Sequence, residues 1–334
     1  MGSTAASSEI PIVDFAKFLN GSGEEKEEVA RQLDSAFCNV GFVYLKNHGV
    51  LKELVEECFS WNKKFFALPQ ETKMLAPHPP GGSHHRGYSG PGAEKVTQHI
   101  YDKDEISKQN DDFKESFESG NIHDTDQPNI WPPDDTLPGF RPFMETFFLS
   151  CSALVHNVLD ALSLALHTPS PNLLSSAHGK SRFQLRILHY PPVAADQLKD
   201  SKRSRINAHS DFGSLTLLFQ DSVGGLEVED PHQPGIFRPA PPIEGTVLVN
   251  IGDLMARWSN DRWRSTVHRV GLPERAGLGE MVPDRYSIPF FATPDRDTIV
   301  EALPGCWDDG SRPRRYGPVT TFEYVQMRME TLYN

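Results

Sequence analysis

The stretch from Asn207 to Asp221 reads NAHSDFGSLTLLFQD, and its two halves differ in character. SLTLLFQ has the apolar, β-branched texture of a buried strand. The residues before it are more polar than a lead-in to such a strand requires. Side chains two apart on a strand share a face, so His209 and Asp211 can reach one point if they sit at a strand end. A chain with 13 histidines and abundant aspartate is expected to hold one His-x-Asp by chance. The pair gains meaning only if other segments need it.

From Arg182 onward the same texture recurs in RFQLRILHY, GLEVED, TVLVNIG, RSTVHRV and RYSIPFFA, each bounded by Gly, Pro or Asp. Short strands at this spacing predict a sandwich or barrel. RSTVHRV supplies His268, with Val267 and Arg269 on the opposite face. Two histidines and one carboxylate on a β scaffold form the facial triad suited to non-haem Fe(II), which leaves metal positions open for other ligands. An isolated histidine is more often a satisfied core residue, and the company of His209 and Asp211 reverses that expectation. In RYSIPFF, Arg285 and Ser287 share a face, where a guanidinium and a hydroxyl suit a bidentate grip on a carboxylate. In RILHYPP, Arg186, Leu188 and Tyr190 alternate onto one face, so the Tyr190 phenol can serve the same ligand.

The front half reads differently. IPIVDF and GFVYLKNHGV predict strands, while EEKEEVARQLDSAFCNV and LKELVEECFSWNKKFFAL carry helical spacing. PHPPGGSHHRGYSGP, from Pro77 to Pro91, predicts an irregular loop holding His84, His85, Arg86 and Tyr88, and Arg86 and Tyr88 are its candidates for substrate contact. FRPFMETFFLSCSALVHNVLDALSLALH predicts a long core helix, and TTFEYVQMRMETLY a C-terminal one. With no repeat, low-complexity tract or clear linker, the expected organisation is one cooperative unit over 1–334. Within it lie a mixed helix and strand region at 9–130, a β core at 180–297 and the C-terminal helix at 318–334.

A formal net charge of −12 argues against general binding to nucleic acid or to anionic membranes, so a small-molecule partner is expected. Cys38, Cys58, Cys151 and Cys306 form no C-x-x-C and imply neither a zinc site nor a disulfide framework. MGSTAASSEI lacks the features of a secretory signal and misses the myristoylation pattern at Ala6. No apolar run is read as long enough to span a membrane. A soluble cytoplasmic protein is the resulting expectation.

In chain order, H-x-D (His209, Asp211), G-x-L-T-x-L-x-Q-D (Gly213 to Asp221), GGLEV, VNIGD, WSN, HRV and R-x-S (Arg285, Ser287) resemble the Fe(II)/2-oxoglutarate-dependent dioxygenases of the isopenicillin N synthase-like group. IPIVDF, GFVYLKNHGV and KESFESG extend the resemblance over nearly the whole chain. It implies a mainly β protein with flanking helices, built on a double-stranded β-helix, a distorted jelly roll. It further implies Fe(II) as cofactor, 2-oxoglutarate and O₂ as cosubstrates, and oxidation of a small, specialised metabolite by hydroxylation, desaturation or ring formation. Carried over by position, His209, Asp211 and His268 resemble the iron ligands, and Arg285 and Ser287 the binders of the far carboxylate of 2-oxoglutarate. Tyr190 matches the second tyrosine of the group's N-Y-Y-P motif. Leu188 and His189 depart from that motif, and Arg186 is the candidate for the contact so lost. Phe291 matches a residue that walls the substrate pocket, and Phe212 and Arg269 are expected beside it. Two rivals stay open: an oxidase of the same fold that uses no 2-oxoglutarate, and a jelly-roll binding protein without turnover.

Overall fold

A computed structural model describes residues 9–80, 84–94, 112–199, 204–277 and 279–329. Eight strands form one largely antiparallel sheet in the order Ile12–Asp14, Phe42–Lys46, Thr246–Ile251, Leu215–Gln220, Arg285–Ala292, Gln184–Tyr190, Glu115–Gly120, Gly87–Ser89. A four-stranded sheet, ordered Phe237–Pro239, Leu226–Glu229, His268–Val270, Ile206–His209, lies against it. The two make the double-stranded β-helix that the resemblance implies.

Strand alternation explains why the large sheet is covered on both faces. Val43, Leu45, Leu217, Phe219, Val247, Val249, Ile288 and Phe290 join the helix-facing core. Their neighbours Phe42, Tyr44, Leu218 and Leu248 point the other way and pack with Ile206, Leu226, Val228 and Val270 of the small sheet. Within the central strand Arg285–Ala292, Arg285, Ser287, Pro289 and Phe291 turn toward the space between the sheets. The recorded pairing with the 184–190 strand lapses between Ser287 and Phe290, at Pro289, which has no N–H to donate.

The helices buttress the other face. Ser22 caps Gly23–Asn39 by accepting from the Glu25 amide at 3.3 Å, while its own amide donates to the Glu25 carboxylate at 3.0 Å. Phe140–Ala165 is the long core helix anticipated from its spacing, but one expectation about it needs correcting. By length and composition it is apolar enough to cross a membrane. Here it serves as a core helix, burying Phe147, Phe148, Cys151, Val155 and Leu159 against the sheet and the 23–39 helix. All four cysteines are free thiols. The Pro77–Pro91 loop is more regular than expected, since Gly87–Ser89 joins the large sheet as its edge strand.

Candidate active site between the sheets

The strand Ile206–His209 ends on His209, and His268 opens the neighbouring strand directly opposite it in register. Asp211 follows two residues after His209. Its Oδ1 lies 3.9 Å from His209 Nε2 and 3.8 Å from His268 Nε2, and one ligand atom from each residue falls within 4.8 Å of the others. Both imidazoles are fixed from behind. Nδ1 of His209 is 2.8 Å from the Asn207 carbonyl and Nδ1 of His268 is 3.2 Å from the Thr266 carbonyl. A carbonyl only accepts, so each Nδ1 carries the proton and each Nε2 presents its lone pair inward. Burial, reinforced by adjacent His268, pushes His209 down to about 3, which keeps it neutral as a ligand.

The carboxylate is oriented with equal care. Asp211 Oδ2 accepts from Thr216 Oγ1 at 2.6 Å and from Asn250 Nδ2 at 2.7 Å, leaving Oδ1 toward the imidazoles. Burial works against its charge, but His268, His209 and those two hydrogen bonds hold it below the ordinary carboxylate value. The backbone is stitched as well. Asp253 N–H donates to the Asp211 carbonyl at 2.8 Å, Leu254 N–H to Gly213 at 3.0 Å and Gly252 N–H to Ser214 at 2.9 Å. A Cβ on Gly213 would overlap the Ala292 carbonyl, and one on Gly252 the Gly213 carbonyl, so both positions need glycine for this approach. Two imidazoles with Nδ1 fixed by backbone carbonyls and one aimed carboxylate fit a divalent transition metal such as Fe(II).

A narrow cavity runs from these three residues between the sheets to Arg285, Ser287 and Tyr190. Arg285 is 1% exposed. Its Nε donates to the Gly224 carbonyl at 2.9 Å and its Nη2 to Gln220 Oε1 at 3.2 Å, and its guanidinium lies 4.8 Å from the Tyr190 ring centre. Nη1 is buried with no hydrogen-bond partner, and no carboxylate among the described residues is within ion-pair distance. Tyr190 OH and Ser287 Oγ sit 3.4 Å apart beside it. A fixed, uncompensated cation with two hydroxyls fits a carboxylate.

On the other side of His209 and Asp211, a cavity of about 110 Å³ is walled by Phe212, Phe291, Val325 and Met329, with His85, Gln184 and Arg186 supplying polar atoms. It shares residues with the narrow inner cavity and with an outer one of about 220 Å³. Phe212 and Phe291, the residues expected at the substrate pocket, both line this cavity. Arg86 and Tyr88 do not. Tyr88 is buried on the helix side of the sheet, its hydroxyl donating to Glu115 at 2.5 Å with the Gln70 amide 2.9 Å away, because strand alternation pairs it with Phe117. Arg86 borders the outer cavity but neither of the other two, donating to the His85 carbonyl at 2.6 Å and facing Asp124 at 3.5 Å. Burial brings its guanidinium down to about 10. Arg269 points outward onto Glu227 at 2.7 Å and the Phe237 ring, as the alternation against His268 demands.

Arg186 also departs from its expected role. It lines the cavity, but its Nη2 is gripped by Glu118 and, at 2.8 Å, by Glu94. That pairing meets its charge with two buried carboxylates, whereas Arg285 has no carboxylate partner among the described residues. Burial opposes ionisation of Glu94 and Glu118, yet Arg186 holds both below the usual carboxylate range. His189 lies on the helix side of the sheet, packed on Phe66 and Tyr286 between Glu115 at 2.7 Å and Asp284 at 2.6 Å. Sequence reasoning missed Thr216, Asn250, Gln184 and the wall given by Val325 and Met329. Gln184 could have been found by alternation, two residues before Arg186, and Asn250 from its place in VNIGD. The helix 321–329 gave no local sign that it reaches the cavity.

Comparison with known proteins agrees with this geometry. Residues 10–134 match the family model for the N-terminal region of the non-haem dioxygenase in morphine synthesis, and residues 182–294 that of the 2OG-Fe(II) oxygenase superfamily. The chain is 40% identical over 330 residues to a 2-oxoglutarate-dependent dioxygenase of Dothideomycetidae sp. (strain 11243), covering 97% of each. It is 39% identical over 326 residues to a proline hydroxylase of Petromyces alliaceus, covering 97% of this chain and 100% of that one. The crystal structure of a full-length Neurospora crassa protein in complex with alpha-KG and thymine superposes with a TM-score of 0.86 at 40% identity, covering 96% of each chain.

Proposed function

The chain belongs to the 2OG-Fe(II) oxygenase superfamily as an Fe(II)/2-oxoglutarate-dependent dioxygenase of small molecules, and from that premise we propose how its residues divide the work and what class of substrate they admit. His209, Asp211 and His268 hold the iron. Arg285, Ser287 and Tyr190 hold the far carboxylate of 2-oxoglutarate. The observation that carries this division is the single cavity joining the triad to a buried Arg285 with one unmet nitrogen. Of the readings the sequence left open, the one that uses 2-oxoglutarate is the family's.

When bound, Fe(II) with 2-oxoglutarate and O₂ supplies the oxidation: 2-oxoglutarate leaves as succinate and CO₂, and a substrate C–H bond is oxidised. The chain orients the reactants and excludes water. Gly224 and Gln220 fix Arg285 so that a carboxylate at its Nη1 is held in one pose. Phe212 and Phe291 give flat apolar walls, and His85, Gln184 and Arg186 give a polar edge beside the metal site.

Those walls suit a compact, polar, ring-bearing metabolite of amino-acid or nucleobase size, taken up for hydroxylation. Two relatives support that class, one named for proline and one crystallised with thymine. A panel of cyclic amino acids, pyrimidines, flavonoid-like polyphenols and fatty acids, assayed for succinate release above the substrate-free background, tests it. Coupled turnover is expected only with the small polar rings. Coupling confined to polyphenols or fatty acids would overturn the class. In the same assay His209→Ala and His268→Ala are expected to stay folded but lose bound iron and succinate formation.

A further inference from the structure

Resting on the reading that His209, Asp211 and His268 hold the metal, we infer that Arg328, on the C-terminal helix Thr321–Met329, is a positioning residue that latches the metal-binding loop. Arg328 is 1% exposed, an expensive place for a cation unless it is well paired. Three of its partners surround the loop's carboxylate-bearing residue, Asp211. Nη1 pairs with the Asp253 carboxylate, Nη2 donates to the Ser210 carbonyl at 3.4 Å, and the guanidinium lies 4.3 Å from the centre of the Phe212 ring.

Asp253 completes the connection to Asp211. Its amide donates to the Asp211 carbonyl at 2.8 Å, while its carboxylate accepts from Ser265 at 2.6 Å and from Tyr324 at 2.9 Å. Arg328 thus touches the residue on each side of Asp211 directly, and Asp211 itself through one intermediary. The fourth motif of the sequence, VNIGD, gains a second use: Asn250 aims the ligand carboxylate, and Asp253 ties its backbone to the C-terminal helix. Helical spacing puts Tyr324 and Arg328 one turn apart on the face toward this loop. Val325 and Met329, the next residue in each case, face the substrate cavity. One helix therefore closes the cavity and sets the loop.

Removal of an outer contact to a metal ligand commonly lowers metal affinity by about 10- to 100-fold. Arg328→Met keeps the length of the side chain and removes its charge and donors. Co(II) is the probe, since its d–d absorption reports ligand geometry without turnover. In anaerobic titrations of the full chain, Arg328→Met is expected to bind Co(II) about 10- to 100-fold more weakly with an altered spectrum. Arg328→Lys should fall between, because an ammonium can meet Asp253 but not also reach Ser210 and cover Phe212. Asp253→Asn should shift the same spectrum, and the double variant should be little worse than Arg328→Met alone. Wild-type Co(II) affinity and spectrum in Arg328→Met, whatever its melting temperature, would overturn the proposal. If that variant does not fold, the same unchanged readout in Arg328→Lys and Asp253→Asn does so. Failure of the wild-type protein to bind Co(II), or undiminished binding by His268→Ala, would sink the metal assignment itself.

Discussion

At Arg285 a fully buried guanidinium is held by Gly224 and Gln220 with Nη1 left unmet. On the proposed assignment, replacing it by leucine leaves the far carboxylate of 2-oxoglutarate without its partner, an expected loss of about 2 to 5 kcal/mol, or roughly thirtyfold to several thousandfold in affinity. Arg285→Lys should lie between, and Tyr190→Phe should cost only about 0.5 to 1.5 kcal/mol. Titrating 2-oxoglutarate against the anaerobic Fe(II) protein, followed by the charge-transfer absorbance of the chelate, measures all three. Unchanged affinity in Arg285→Leu would remove the residue from the cosubstrate site. Tyr88 makes the opposite case. Its phenol binds Glu115 and Gln70 on the helix side of the sheet, so Tyr88→Phe should lower the melting temperature by a few degrees and leave the KM of a coupled substrate unchanged. A raised KM with unaltered stability would return Tyr88 to the cavity.

Elements carry the next level of consequence, and the short helix Leu173–Ser176 shows how. It delivers His178, fully buried, with Nδ1 2.7 Å from the Leu174 carbonyl and Nε2 2.8 Å from Ser214 Oγ, in the segment that follows Asp211. Burial lowers this imidazole from 6.5 to about 3. Between those values the unfolded chain binds a proton that the folded chain refuses, so stability is full above about pH 6.5 and declines as pH falls toward 3. Melting temperatures across pH 7 to 4 should fall accordingly, and less steeply in His178→Gln. An identical slope in both proteins would exclude His178 as a contributor. Such elements were unevenly legible in the sequence. Period-2 alternation located the strands carrying Arg285, Ser287, Tyr190 and His268, and H-x-D located the loop, because these depend on neighbours in the chain. The pairing of Arg186 with Glu94 and Glu118, the burial of Tyr88 and the reach of Arg328 to Ser210 depend on contacts across 68 or more, 27 and 118 residues, which no local pattern encodes.

The whole molecule joins regions far apart in sequence through one sheet. Phe42–Lys46 pairs with Thr246–Ile251, and Glu115–Gly120 with Gln184–Tyr190, so the N-terminal region cannot detach without exposing edges and core of the β-helix. The 140–165 helix packs its buried face on both halves. A chain so interleaved should unfold as one unit, although its size alone would permit two domains. Ligands supply the test. On the proposed assignment, metal and 2-oxoglutarate bind where strands from the two sheets meet, so they should stabilise whatever unfolds together with that site. At 100-fold excess over its dissociation constant a ligand adds about 2.7 kcal/mol, a shift of a few degrees in melting temperature. If the chain is one cooperative unit, a single transition seen by far-ultraviolet dichroism and by tryptophan fluorescence should move upward together when Co(II) and 2-oxoglutarate are added anaerobically. Trp61 lies on the helical side, Trp258 ends the helix that begins at Asp253 and Trp263 follows it, so the fluorescence reports from both regions. Two transitions, only one of them responding to the ligands, would divide the chain into separate units and leave the shared sheet weaker than its pairing suggests.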